Sequence, residues 1–324
     1  MLIGIDIGGT KCAVTSGTFD EKEKASITNK SVIATPKTAH YSDVLGTLAD
    51  FISNLANESG EKIDAIGVSC GSPMDSKNGI IMSPPNLPGW DNVEVVKYYE
   101  TKFNVPCALL NDANACALAE HRYGAGRGYS NVVFLTFGTG MGAGLILDGK
   151  LYEGTNGLSG EVGHVRVAEA GPVGYGKAGS YEGFCSGGGI AQIGRMKALE
   201  CFQTGIAPSI CPSMSELDKI NAKDIAELAA AGDALALEIY YICAKKLGLG
   251  LSILIDLLNP ETIIIGSIFQ RSESLLRNAA MAVIESEALE ISRKSCKIVP
   301  SELGDALGDY AALVIAQTAI EKRL

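Results

Sequence analysis

Leu2-Ile3-Gly4-Ile5-Asp6-Ile7-Gly8-Gly9-Thr10-Lys11-Cys12-Ala13-Val14 opens the chain. An apolar run stops at paired glycines, and a second run resumes beyond them. Strand, glycine turn, strand is the simplest local structure, because glycine reaches φ > 0 without a Cβ clash and permits a tight reversal. The plan recurs about 130 residues on, in Val132-Val133-Phe134-Leu135-Thr136-Phe137-Gly138-Thr139-Gly140-Met141-Gly142-Ala143-Gly144-Leu145-Ile146-Leu147. This points to a duplicated fold with one glycine hairpin in each half.

Between the hairpins, Val44, Leu45, Leu48, Phe51, Ile52 and Leu55 fall at helical spacing, and Ile63 to Cys70 reads as a buried strand. Residues 92–102 again look helical. Cys107-Ala108-Leu109-Leu110 is a further short apolar run that ends at Asn111-Asp112-Ala113-Asn114, and Ala115 to Arg122 has a helical pattern. Strand, polar turn and helix in that order put Asp112 at or near a helix N-cap. After a glycine-rich stretch from Gly154 to Gly189, helical patterns occupy 223–231 and 233–257. A strand at Thr262–Ile265, a helix around 272–285 and a final helix over Ala306–Lys322 follow. Strands and helices in both orders give an α/β protein.

The 324 residues suit two domains of about 150 residues with a cleft between them. A net charge of −10 with scattered Lys and Arg leaves no basic footprint for nucleic acid and favours small-molecule partners. The N-terminus has no basic n-region and reaches Asp6 at once, so no secretory signal is expected. No apolar run approaches the ~18 residues of a membrane span; Leu247–Leu258 is broken by Gly248, Gly250, Ser252 and Asp256. The nine cysteines lack paired CxxC spacing, as expected of reduced core thiols in the cytoplasm.

Three motifs carry chemistry. Asp6-Ile7-Gly8-Gly9-Thr10-Lys11 brings backbone donors toward an anion, with Lys11 adding charge and Asp6 able to hold a hydrated Mg²⁺. The same hexapeptide also describes a hairpin that binds nothing, and it matches neither the Walker pattern nor the dinucleotide fingerprint. Paired with Phe137-Gly138-Thr139-Gly140, however, it favours a polyphosphate gripped by both halves. Asn111-Asp112 places a carboxylate where α/β folds bind ligands, and phosphoryl transfer needs a group to accept the hydroxyl proton; a plain N-cap is the competing explanation. Gly160-Glu161-Val162-Gly163-His164 with Glu182, and Asn86 in a proline-rich loop, offer acceptors and donors suited to sugar hydroxyls. His164 and Asn86 could equally be structural.

In order, Asp6–Lys11, Asn111–Asn114, Gly138–Gly142 and Leu158–His164 resemble the motifs of the ROK family, bacterial sugar kinases and sugar-responsive repressors. The resemblance runs from residue 2 to Leu303-Gly304-Asp305. It implies a two-lobed actin-like (RNase H-like) ATPase fold, with residues 1–117 in the first lobe, 118–304 in the second, and a C-terminal helix over 305–324 returning to the first. It implies an ATP-dependent hexose or N-acetylhexosamine kinase acting at the C6 hydroxyl, with Asp112 as catalytic base. Gly71, Asn86, Asn111, Asp112, Glu161, His164 and Glu182 fall where the family grips sugar. Gly8, Gly9, Thr10, Lys11, Thr139 and Gly140 fall at phosphate, Asp6 serves Mg²⁺ through water, and Gly266 lies next to the adenosine. A homodimer is expected on the same ground.

Two departures matter. Where most members carry a zinc-binding CxCGxxGCxE segment, this chain has Val173-Gly174-Tyr175-Gly176-Lys177-Ala178-Gly179-Ser180-Tyr181-Glu182. All three cysteine positions are lost, so no zinc is expected, and packing must hold the loop, with Tyr175 and Tyr181 as candidate anchors. Where kinases of the family commonly have Gly-Gly beside the adenosine, this chain has Gly266-Ser267. A repressor would need a DNA-binding helix-turn-helix ahead of the first loop, and only five residues precede Asp6. A non-catalytic sugar-binding regulator is the remaining rival.

Overall fold

The structure, a computed structural model, describes residues 1–19, 25–35 and 40–321. Strands β1 (Leu2–Ile7), β2 (Lys11–Phe19) and β3 (Ala25–Ala34) are followed by helix α1 (Tyr41–Ser59), β4 (Ala65–Cys70) and a short hairpin, β5 (Met74–Asp75) and β6 (Ile80–Ile81). Helix α2 (Val95–Phe103) and β7 (Cys107–Asn111) then lead into α3 (Asp112–Tyr123). These strands form a sheet of order β3-β2-β1-β4-β7. β1, β2 and β3 pair antiparallel, whereas β1, β4 and β7 run parallel.

The second half repeats the plan. It begins with β8 (Val132–Leu135), β9 (Ala143–Leu147) and β10 (Lys150–Leu151), followed by a small hairpin, β11 (Val173–Gly174) and β12 (Lys177–Ala178). Four helices follow: α4 (Tyr181–Phe184), α5 (Gly187–Gln203), α6 (Ala222–Ala230) and α7 (Ala234–Leu258). The chain ends with β13 (Thr262–Ile265), α8 (Ile268–Arg271), α9 (Glu273–Glu287), α10 (Glu290–Ser295), β14 (Lys297–Pro300) and α11 (Leu307–Glu321). Its sheet order, β10-β9-β8-β13-β14, carries the same antiparallel and parallel halves. The duplication expected from the two glycine hairpins is therefore present at the level of whole sheets.

Local chemistry sets the elements. The α1 stripe Val44, Leu45, Leu48, Ala49, Ile52 and Leu55 is buried, and the helix ends at Gly60 with φ 67°, where a Cβ would be strained. Every residue of β4 is buried, as befits a parallel strand covered on both faces.

Two helices tie the halves together. Gly4 and Gly67 are neighbours across β1 and β4. A Cβ on Gly67 would lie 2.4 Å from the Ala312 carbonyl oxygen, so α11 seats its alanines directly on the first sheet. Likewise a Cβ on Gly144 would lie 2.4 Å from the Ala113 carbonyl oxygen, so α3 seats on the second. Each helix leaves one sheet and packs on the other. The two meet where Arg122 makes paired 2.9 Å bonds to Glu321. The sequence-predicted final helix ends at Glu321 among the described residues, with Lys322 to Leu324 outside them. No helix among the described residues is long and apolar enough to cross a membrane.

Candidate active site

Parallel pairing brings the carboxyl ends of β1, β4 and β7 to one edge of the first sheet, with Asp6 opposite Ser69 and Cys70 opposite Asn111. That edge delivers Asp6, Gly71 and Asp112 to the cleft, the usual ligand position in open α/β sheets. From the other half, β8 and β13 end at the loops carrying Thr136–Gly142 and Gly266-Ser267.

A cavity of about 630 Å³ lies between these edges, lined by Gly71, Asn111, Asp112, Glu161, His164 and Glu182 together with the Gly138–Gly142 loop. A second cavity, of about 590 Å³, is lined by Ser267, Arg271, Tyr240, Lys223 and Gly187. Gly138 and Thr139 belong to both. A glycine loop thus stands at the junction of two ligand-sized spaces, and Asp112 opens into one of them.

Asp112 is the first residue of α3, with Asn111 as N-cap rather than Asp112 itself. The Asn111 Oδ1 accepts from Ala113 N and Asn114 N, and its Nδ2 donates to Ser72 Oγ at 3.0 Å. Ala113 N also donates to Asp112 Oδ1 at 2.8 Å, which fixes the carboxylate. The side chain is accessible through the cleft, yet protein packs densely on its other sides. Burial pushes its pKa up, partly offset by the Ala113 N–H. Burial, then the charge of Asp112, pushes Asp6 up to about 6, and Lys11 opposes the rise. Glu161 is raised by burial, then by Asp112 and Glu182. The cavity is acidic, and such a lining favours a neutral polyol that donates hydroxyl hydrogens over an anionic acceptor.

The second glycine loop is braced from below. Gly138 N donates to the Gly140 carbonyl at 2.9 Å, and Thr136 Oγ1 accepts from Gly142 N at 2.9 Å. Glu182 Oε2 accepts from Met141 N at 3.0 Å, and a Cβ on Gly140 would lie 2.7 Å from that oxygen. One Glu182 oxygen is therefore committed to shaping the loop. Gly187 N, at the start of α5, donates to the Gly138 carbonyl at 2.8 Å, and Ser186 caps that helix. Ser72, Thr136 and Ser186 went unread in the sequence; Ser186 before three glycines is a cap signal that a glycine-rich stretch obscured.

The remaining predicted residues are placed less centrally. Asn86 is exposed, and a Cβ on Gly71 would lie 3.7 Å from its Oδ1. A Cβ on Gly9 would lie 2.4 Å from the Asn86 carbonyl oxygen, so Gly9 is also a packing requirement. Thr10 and Lys11 are exposed beside partly buried Gly8. Gly266 is buried, its N–H donating to the Leu135 carbonyl, and Ser267 takes its place at the second cavity.

Asp6 and the neighbouring Asp112 bring two carboxylates together, and burial raises both. Among the described residues no group of three or more His, Cys, Asp or Glu side chains could hold a metal ion, so two carboxylates suit only an oxygen-preferring ion such as Mg²⁺ whose remaining ligands are water or phosphate. The zinc loop does not fit its metal. Val173 has its N–H and carbonyl bonded by Gln192, and Ser180, fully buried, accepts from Gly174 N and Gly183 N. Cys185 is buried with its Sγ directed to the Cys243 carbonyl. Tyr181 does anchor the loop, its hydroxyl donating to the Leu247 carbonyl at 3.1 Å. Tyr175 does not: it is 72% exposed at φ 44° and stands edge-on to His164, because the tight turn between β11 and β12 turns it outward.

A model described as ROK family matches residues 2–319. A glucokinase from Thermotoga maritima is 32% identical over 276 residues, covering 85% of this chain and 84% of that one. The DNA-binding transcriptional dual regulator NagC of Escherichia coli is 28% identical over 312 residues, 95% of this chain and 74% of the regulator. The crystal structure of a ROK family glucokinase from Streptomyces griseus, in complex with glucose and AMPPNP, superposes with a TM-score of 0.76 at 28% identity, covering 98% and 99% of the two chains.

Proposed function

The chain belongs to the ROK family and has its two-lobed actin-like fold, and from that premise we propose that it is a sugar kinase, moving the γ-phosphoryl group of ATP to the C6 hydroxyl of a hexose or N-acetylhexosamine. The observation that carries this reading is the junction: Asp112 opens into one cavity, and the Gly138-Thr139 wall separates it from the second. An acceptor in the first and a nucleoside in the second would bring hydroxyl and phosphate together at that loop.

In this reading the acceptor hydroxyl lies against Asp112 Oδ2, since Oδ1 is held by Ala113 N. Asp112 takes the hydroxyl proton as the oxygen attacks phosphorus in line, and the raised pKa makes it a stronger base than an ordinary carboxylate. Asn111 fixes the start of α3 and hence the carboxylate. Glu161 and His164 receive sugar hydroxyls, and Glu182 holds the loop whose Thr139 and Gly140 amides face the phosphates. Asp6 would hold Mg²⁺ through water, and the ion, when bound, supplies positive charge to the phosphates. Enclosure in the cleft limits competition from water. We further assign residues 1–117 and the C-terminal helix to one lobe and 118–304 to the other, and a cytoplasmic homodimer as the working form.

A non-catalytic sugar-binding regulator is the second reading, supported by the regulator among the relatives and by Ser267 at the nucleotide cavity. A coupled ADP-release assay with Mg·ATP and a panel of hexoses and N-acetylhexosamines separates the two. Turnover that depends on one sugar supports the kinase. Sugar binding without nucleotide turnover supports the regulator.

A further inference from the structure

The hairpin β11–β12 is held firmly at its base and carries at its tip a residue that its own turn disfavours. Gly174 pairs with Lys177, so Tyr175 and Gly176 are the two loop residues, at φ 44° and φ 74°. Positive φ at both positions is the type I′ arrangement, which favours Asn-Gly, Asp-Gly or Gly-Gly and strains a bulky side chain at the first of them. Tyr175 is 72% exposed, and its hydroxyl has no hydrogen-bond partner among the described residues. Neither burial nor hydrogen bonding inside the loop offsets the strained backbone.

The base is fixed from several sides. Val173 exchanges bonds of 2.9 and 2.8 Å with the Gln192 side chain of α5, Arg166 donates to the Ala178 carbonyl at 2.7 Å, and Lys177 Nζ donates to the His164 carbonyl at 2.7 Å. Gly174 packs so closely that a Cβ there would lie 2.6 Å from Gly183 N. The hairpin therefore delivers its tip to one place, the rim of the acceptor cavity, which Tyr175 lines together with His164, Glu161 and Asp112. The Tyr175 and His164 ring planes meet at 80° with centroids 6.2 Å apart. In that geometry His164 takes at most one face of the tyrosine ring, and at least one face stays open.

A pyranose ring presents a flat apolar face of C–H groups, and the remaining named groups of this cavity, Asp112, Glu161, His164 and Glu182, are polar and suited only to its hydroxyls. An aromatic ring supplies the missing apolar surface at low conformational cost. We infer that Tyr175 is a specificity-determining residue for the acceptor, stacking its open face on the C–H face of a pyranose seated at Asp112. The inference deepens the sugar-kinase reading and rests on it for the identity of the acceptor cavity. The backbone strain is then the cost of placing a binding residue where the turn alone would select Asn or Gly. Stability and sugar affinity should therefore move in opposite directions when the turn is given the residue it favours.

The test uses the full chain with glucose, mannose, allose, N-acetylglucosamine and N-acetylmannosamine, binding being read by calorimetry without nucleotide and turnover by ADP release with Mg·ATP. For the tightest-binding sugar, Tyr175→Asn should raise Kd about tenfold, the scale of one lost aromatic contact, while its melting temperature holds or rises because Asn-Gly suits the turn. Tyr175→Phe, which keeps the ring, should stay within about threefold of wild type. A Kd that Tyr175→Asn changes by less than about threefold, a Phe variant as weak as the Asn variant, or a melting temperature that falls with affinity overturns the inference. ADP release on a sugar whose Kd ignores Tyr175 would overturn it and leave the kinase standing. The expected Kd pattern without ADP release from any sample would sink the kinase reading and leave the stacking in place, and no binding by any of the five sugars would overturn both.

Discussion

Replacing Asp112 with Asn changes one atom and tests the chemistry assigned to it. The amide oxygen can keep the 2.8 Å bond from Ala113 N, which turns the amide NH₂ toward the acceptor. A donor then faces the hydroxyl where an acceptor is required. Asn111 still caps α3, so the fold should hold and the melting temperature should not fall. General base catalysis is worth roughly 10²–10⁴ in rate, or about 2.7–5.5 kcal/mol of barrier. Sugar-dependent kcat should drop by at least ~10², while the sugar KM moves only a few fold, since Glu161 and His164 remain. ADP release under saturating Mg·ATP, with a melting curve on the same sample, reads both quantities. A variant that keeps more than a tenth of wild-type kcat would refute the assignment of Asp112 as base, and with it the reading of its raised pKa.

Further expectations concern the surrounding groups. The Asp6 carboxyl is raised from 3.8 to about 6, so its ionisation costs nothing below the first value and its full amount above the second. In the protein without Mg²⁺, Asp6→Asn should therefore stabilise increasingly as pH rises through that window, by at most roughly 3 kcal/mol, while activity falls; melting curves at several pH values would contradict this if the gain were flat or reversed. The acid limb of kcat/KM should lie above the ordinary carboxylate value of 3.8 because burial raises Asp112, with activity lost as pH falls through its pKa; a limb at or below that value in a pH–rate profile would oppose the assignment. Treatment with a zinc chelator and restoration of Mg²⁺ should leave activity and melting temperature unchanged, whereas Ser180→Ala, which orphans the buried Gly174 and Gly183 amides, should cost about 1–3 kcal/mol in chemical denaturation; chelator sensitivity would show a metal that the loop geometry does not fit. Ser267 holds φ 54° and ψ −108°, a region glycine occupies freely, so Ser267→Gly should relieve on the order of 1 kcal/mol and lower the ATP KM by widening the second cavity, and an unchanged or higher KM would argue against that placement.

Much of this architecture was legible because it rests on residues that have few alternatives. Gly8-Gly9 and Gly138–Gly142 mark the two hairpins, and α1 and α7 announce themselves through spacing or length. The carboxylates could be placed because strand ends and a following helix set where Asn111-Asp112 must emerge. What escaped reading is what depends on partners distant in sequence. β3, Ala25–Ala34, is an edge strand whose sequence alternates polar and apolar residues too weakly to declare itself. α5 begins with three glycines, which resemble loop composition, and one of them is required because a Cβ on Gly189 would lie 2.1 Å from the Gly183 carbonyl oxygen. The bond from Met141 N to Glu182 joins residues 41 apart, and no local pattern encodes it. Tyr175 and Tyr181 illustrate the same limit: both were equal candidates for anchoring, and only the turn at residues 173–178 decides which ring is buried.

As a sugar kinase, the protein would move phosphorus from a nucleotide to a sugar oxygen in the cleft beside Asp112. The phosphorus NMR spectrum and mass of the product formed from Mg·ATP and the best-binding sugar test it most directly. A sugar monophosphate ester at the C6 oxygen, formed in step with ADP and absent from the Asp112→Asn reaction, is the predicted result. ADP with inorganic phosphate and no ester, or an ester formed equally well by the variant, would contradict it.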